Sequence, residues 1–130
     1  MVPTRGRGIY EITSQVDAFA AGSGIVAGLC HLFLQHTSAS LMICENADPT
    51  VLRDVETFFA RLVPDGDPSF AHDTEGPDDM PAHIRSVLTQ SDLTIPISSG
   101  HLALGTWQGV FVYEHRLTGH RRHVLLTAVG

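Results

Sequence analysis

Three of the eight histidines, His36, His72 and His83, have neighbours in the sequence that suit chemistry. His36 closes an apolar run and opens the polar run His36-Thr37-Ser38-Ala39-Ser40, so an imidazole and several hydroxyls would meet at the end of a buried strand. His72 lies in a long polar stretch, beside Asp73 and near Glu75. His83 follows Asp78-Asp79 at the start of a short apolar-periodic segment. Neutral imidazole nitrogens beside carboxylates are a donor set that zinc and similar transition ions take, and further carboxylates can orient the ligating rings. The intervals are too long for a local motif such as His-Glu-x-x-His, so folding would have to assemble the site. The other five histidines read as structural or surface residues. His101 and His120 stand at turns, His123 follows two arginines, His115 ends a strand, and His31 lies mid-strand at an odd step from His36.

Other motifs are weaker. Gly22-x-Gly24 with Gly28 precedes a strand rather than a helix, so its N–H groups would not cradle a pyrophosphate. Asp65-Gly66-Asp67 starts like a calcium loop that Pro68 and Phe70 break. Neither Ser38 nor Ser40 sits in a Gly-x-Ser-x-Gly elbow. The sole tryptophan, Trp107, stands between glycines in Gly105-Thr106-Trp107-Gln108-Gly109. It reads either as a core residue or as a flat wall for a ring-shaped ligand.

The elements that must position these residues follow from periodicity. Alternation predicts a strand from Gly8 to about Phe19, another from Gly28 to His36 and a third over Leu41–Cys44. Asp48 is an N-cap with Pro49 at the first helical position, and Val51, Leu52, Val55, Phe58, Phe59 and Leu62 form one apolar helix face that Pro64 ends. A polar loop from Asp65 to Pro81 precedes a second, short helix from Pro81 to about Gln90. Four strands then follow, at Leu93–Ile97, His101–Leu104, Gly109–His115 and Arg122–Val129. The pattern implies a single α+β domain over residues 1–130, an antiparallel β-sandwich-like core with two helices.

The bulk numbers narrow the function. The net charge is −6 with neutral histidines, and all eight basic residues are arginine. A surface this poor in cations cannot displace counterions from nucleic acid and does not suit anionic membranes. No run approaches membrane-spanning length, and Met1–Thr13 has no apolar signal segment, so a cytoplasmic protein is expected. Cys30 and Cys44 could form one disulfide, and two buried reduced thiols are the expected state.

Four blocks taken together, QHTSAS (35–40), ENADPTV (45–51), HDTEGPDDMPAHI (72–84) and GTWQGVFVYEH (105–115), resemble the YjbQ-like family, often described as secondary thiamine-phosphate synthases. The resemblance runs from about residue 5 to the end. It implies a sandwich-like α+β fold, a homotrimer with clefts between subunits, and weak coupling of a pyrimidine diphosphate to a thiazole phosphate with release of pyrophosphate. It also selects the motif residues His36, Thr37, Ser38, Asn46, Asp48, His72, Asp73, Glu75, Asp79, His83, Thr106, Trp107, Gln108 and Glu114.

On this reading His36, His72 and His83 hold a divalent ion, zinc or magnesium. Glu114 and Asp79 move protons, with Ser38 and Asn46 as further catalytic candidates. Thr37, Thr106, Trp107 and Gln108 line the pocket of a small, phosphorylated substrate, and Arg85 supplies the positive charge that meets phosphate. A ligand- or metal-binding trimer without turnover is the alternative, and a purely structural subunit ranks third.

Overall fold

Apolar residues that alternate along a strand have to bury one face, and here two sheets bury theirs against each other. The computed structural model describes residues 1–130. Its elements are β1 (Val2–Pro3), β2 (Gly8–Glu11), α1 (Thr13–Gly22), β3 (Ala27–Leu34), β4 (Ala39–Glu45), α2 (Pro49–Leu62), α3 (Asp79–Leu88), β5 (Asp92–Ser98), β6 (His101–Leu102), β7 (Gln108–Glu114), β8 (Arg121–Arg122) and β9 (Val124–Val129). The three sheets have the orders β6-β5-β3-β9, β2-β7-β4 and β1-β8. Every strand pair is antiparallel.

The core lies between the two larger sheets. Cys30, Leu32 and Leu34 of β3 with Leu93, Ile95 and Ile97 of β5 face Ala39 and Leu41 of β4 and Val110 and Val112 of β7. The second face of β7 is covered by α2 and α3. Phe59 of α2 packs edge-on against Tyr113, and Ser86 and Thr89 of α3 and its C-cap hydrogen-bond Ala39 and Ser40 of β4.

The expected α+β sandwich is present, with three helices rather than two. The strand expected over Gly8–Phe19 stops at Glu11, and α1 follows. Ile12, Val16 and Ala20 are spaced by four, and all three are buried, which is a helical stripe. The alternation of Ile9 to Thr13 concealed it, because a short helix rich in Ala and Gly has little polar contrast between its faces. The helix after the loop starts at Asp79, two residues earlier than expected. In α2 Asp48 caps as expected, accepting from the Thr50 N–H at 2.9 Å. Both cysteines are free thiols, Cys30 buried and Cys44 only partly so. No helix is long and apolar enough to cross a membrane.

Burying β7 on both faces encloses polar groups that need partners. The Glu114 carboxylate accepts from Thr4 at 2.6 Å and from Arg122, itself buried. Arg85, wholly buried, reaches Glu56 at 2.7 Å, and the Tyr113 hydroxyl donates to the same carboxylate at 2.6 Å. Thr89 donates to the Arg85 carbonyl, so Ser40 donates to Thr89 and accepts from His115 Nε2. His115 Nδ1 is then a buried lone pair without a partner.

Burial, helped by the charges of Arg85, Arg7 and Arg122, pushes His115 down to about 3. Between the ordinary histidine value and about 3, the unfolded chain binds a proton that the folded chain excludes. Stability therefore falls as pH falls through that window, by at most about 1.4 kcal/mol per pH unit for one group. Urea unfolding from pH 7 to pH 5 should show this loss. His115→Asn should flatten the slope, leaving the part due to His36, which burial and then Arg122 also hold low. An unchanged slope in the variant would exclude His115 as the source.

Candidate metal centre

Asp79 and His83 lie one turn apart on α3 and so share a face. His72 reaches them from the preceding loop. Asp79 Oδ2 is 2.7 Å from His72 Nε2 and 3.3 Å from His83 Nε2, and one potential ligand atom from each residue lies within 4.8 Å of the others. Donors around a tetrahedral zinc stand about 3.3 Å apart, given bonds of about 2.0–2.1 Å. Asp79 is buried, its side chain 3 % exposed, while those of His72 and His83 are 47 % and 30 % exposed. The cluster thus has a buried floor and an open mouth.

Hydrogen bonds outside the cluster orient its members. His83 Nδ1 is 3.0 Å from the Thr37 carbonyl. A carbonyl only accepts, so Nδ1 carries a proton, and whenever the ring is neutral its Nε2 is the lone pair facing Asp79. A histidine that donates its far N–H to a backbone carbonyl has the usual second contact of a metal ligand. Arg116 holds the other side. Its Nη1 lies 2.9 Å from Asp79 Oδ1, its Nε donates to Asp78 at 2.9 Å and its Nη2 to the Glu75 carbonyl. Burial alone would raise the Asp79 carboxyl, but His72, Glu75, Arg116 and His83 together hold it below the ordinary carboxylate range, so it is ionised and able to bind a cation.

The expected three-histidine site is only partly assembled. His36 lies outside the cluster within the chain. Its Nε2 accepts from the His123 N–H at 2.8 Å, its Nδ1 faces Arg122 at 3.3 Å, and its ring stacks on His123. The third donor is Asp79, expected from sequence as a proton carrier. Glu114 cannot act as a proton carrier either. It is fully buried, and although burial would raise it, Arg122, Thr4 and the Arg116 N–H hold it ionised. Arg85 cannot meet a phosphate, because it has no exposed surface and is committed to Glu56. Thr37 contributes its carbonyl to His83, and Ser38 accepts from Arg122 through both its carbonyl and its hydroxyl.

The remaining motif residues gather elsewhere. Asn46, Thr106 and Gln108 line a polar cleft of about 650 Å³ that none of the centre's three residues lines. Asn46 donates to the carbonyls of Thr106 and Gln108, and Gln108 Oε1 accepts from Gly105 N–H. Both amides therefore shape the loop before β7, and a catalytic role for Asn46 finds no support in these contacts. Trp107 is 64 % exposed, so it is not a core residue, and it does not line this cleft. Sequence reading missed Arg116. Its one signal was its place just past a buried strand, facing an acidic loop.

The comparisons with known proteins agree with this fold. The family model described as "UPF0047 protein YjbQ-like" matches residues 1–130. The chain is 51 % identical over 130 residues to the UPF0047 protein sll1880 of Synechocystis, covering all of this chain and 88 % of that one. It is 44 % identical over 127 residues to the UPF0047 protein YjbQ of Escherichia coli O157:H7, covering 97 % and 91 %. The conserved hypothetical protein TT1486 of Thermus thermophilus superposes with a TM-score of 0.88 at 37 % identity, covering 98 % of this chain and 96 % of that one. A match along the whole length in sequence, joined to the same fold in a solved relative, makes this chain a member of the YjbQ-like UPF0047 family.

Proposed function

We propose that the chain is a metal-dependent enzyme whose divalent ion, zinc in preference to magnesium, is held by His72, Asp79 and His83. The reading is supported by the convergence of His72 Nε2 and His83 Nε2 on Asp79 Oδ2, at 2.7 and 3.3 Å, with Nδ1 of His83 donating to Thr37 on the far side. With the Nε2 protons displaced, a divalent cation would be shared by these three atoms in their place. Two imidazoles and one carboxylate favour zinc, since magnesium prefers oxygen and retained water. Three protein donors would leave a coordination position open, as catalytic zinc sites do. The bound ion would supply Lewis acidity that polarises a substrate oxygen or a leaving group. The chain's own part is orientation: Thr37 fixes the His83 tautomer, and Arg116 fixes the Asp79 carboxylate.

The reaction to test first is the one the family resemblance implies, joining a pyrimidine diphosphate to a thiazole phosphate with loss of pyrophosphate. The substrate's charge would meet the ion rather than Arg85. A homotrimer belongs to the same reading. It is supported by the outer face of β3 and β9, where Leu29 and Phe33 lie across from Val129 and Leu125, all four exposed. The free thiols suit a cytoplasmic setting.

Zinc titration followed by calorimetry should give one site per chain. His72→Ala, His83→Ala and Asp79→Asn should each weaken it by about tenfold or more, while His36→Ala binds as the wild type does. Full zinc binding in the His83 and Asp79 variants would refute the centre. A zinc-loaded protein that forms no thiamine phosphate and releases no pyrophosphate would point to binding without turnover.

Light scattering should report three times the 14.1 kDa chain mass. Phe33→Asp should lower that mass. A monomeric wild type would remove the trimer.

A further inference from the structure

The polar cleft contains a second constellation, separate from the metal centre. A two-residue turn, Ser99–Gly100, joins β5 to β6, with both residues in the left-handed region at φ 52° and 78°. That turn type keeps the strands paired and brings His101 over α1. There Asp17 takes two contacts. Its Oδ1 accepts from the Leu102 N–H at 2.9 Å, and its Oδ2 lies 3.0 Å from His101 Nδ1. An ionised carboxylate only accepts, so His101 carries a proton on Nδ1, and in the neutral ring Nε2 is the lone pair. The Leu102 N–H, then His101, hold Asp17 below the ordinary carboxylate range. This is the Asp–His arrangement in which the carboxylate fixes the tautomer of the neutral ring.

The rest of the cleft sets the ligand's charge. Glu11 and Asp17 are the only residues lining it that carry a full charge at neutral pH, and no arginine lines it. Glu11 uses Oε2 to accept from Thr13, and Asn46 uses only its amide nitrogen. Glu11 Oε1, Asn46 Oδ1 and His101 Nε2 are therefore three acceptors without a protein partner. An anion would meet two carboxylates here with no compensating cation. A positively charged N–H donor would meet a carboxylate and neutral acceptors along the same cleft. The pair His31–Asp92 provides the contrast. It also lies on the surface, but it joins through Nε2 and lines none of the described cavities.

We propose that this cleft is a binding site for a small cationic amine, held by Glu11 and by hydrogen bonding to His101 Nε2, with Asp17 fixing the imidazole. The site stands independently of the metal centre and is tested without it. In chelator-containing buffer, ¹⁵N-labelled protein is titrated with ethanolamine, ethylene glycol and glycolate at matched ionic strength. Ethanolamine should shift the Leu102, Gly105 and Gln108 amide signals saturably, and the other two should not. Glu11→Gln and His101→Ala, both at exposed positions, should each weaken the apparent affinity by about tenfold or more, the scale of one charge-assisted hydrogen bond.

Long-range ¹H–¹⁵N spectra should find His101 protonated at Nδ1 and His31 at Nε2, and Asp17→Asn should abolish the His101 preference. Absence of saturable shifts, shifts of equal size with glycolate, or His101 protonated at Nε2 in the wild type would each overturn the proposal.

Discussion

Burial of β7 on both faces is the constraint from which the rest follows. Val110 and Val112 enter the inter-sheet core, while Phe111 and Tyr113 point toward the helices. A strand enclosed in this way ordinarily carries only apolar side chains. This one ends in Tyr113-Glu114-His115, all without exposed surface. Each polar group must find a fixed partner or cost on the order of 1–3 kcal/mol, more if charged. Glu114 takes Arg122 and Thr4, Tyr113 takes Glu56, and His115 takes Ser40. These partners come from β8, α2 and β4 and from the segment after β1, so satisfying one strand fixes the position of several elements.

The metal centre inherits this rigidity. Arg116 stands just beyond the buried strand end, and it spans Asp78, Asp79 and the Glu75 carbonyl. On the other side, α3 is held to β4 through Ser86 and to the segment before β4 through the His83–Thr37 contact. Asp79 and His83 are therefore located by backbone anchored at both ends. His72 comes from a loop and depends on its bond to Asp79. Such an arrangement suits a centre that needs two well-placed ligands and one that adapts.

The centre and the polar cleft lie on different elements of the chain. The first is built from α3 and the loop before it, the second from the end of β2, α1, β6 and the loop before β7. Their chemistries differ accordingly. Imidazole and carboxylate lone pairs converge in one. In the other, a single oriented imidazole stands among amides, hydroxyls and two carboxylates. The arginines near the motif blocks are consumed by carboxylates, Arg85 by Glu56, Arg116 by Asp78 and Asp79, and Arg122 by Glu114. Positive charge beside the motif blocks therefore serves to hold acids in place.

The α+β class, the span of α2 and most strands were legible along the chain, because period-two and period-3.6 patterns and a capped helix are local signals, and the family was legible in four motif blocks. The sequence also named His72, Asp79 and His83. Their grouping depended on how α3 and the loop before it pack. Asp79 completes the set because its oxygen lies beside both rings, while His36 is held against His123 and Arg122, residues distant from it in the chain. The burial of Arg85 and Glu114 was hidden for the same reason. A charged side chain reads as exposed until a partner such as Glu56 or Arg122 is brought against it, and that encounter is set by packing rather than by spacing.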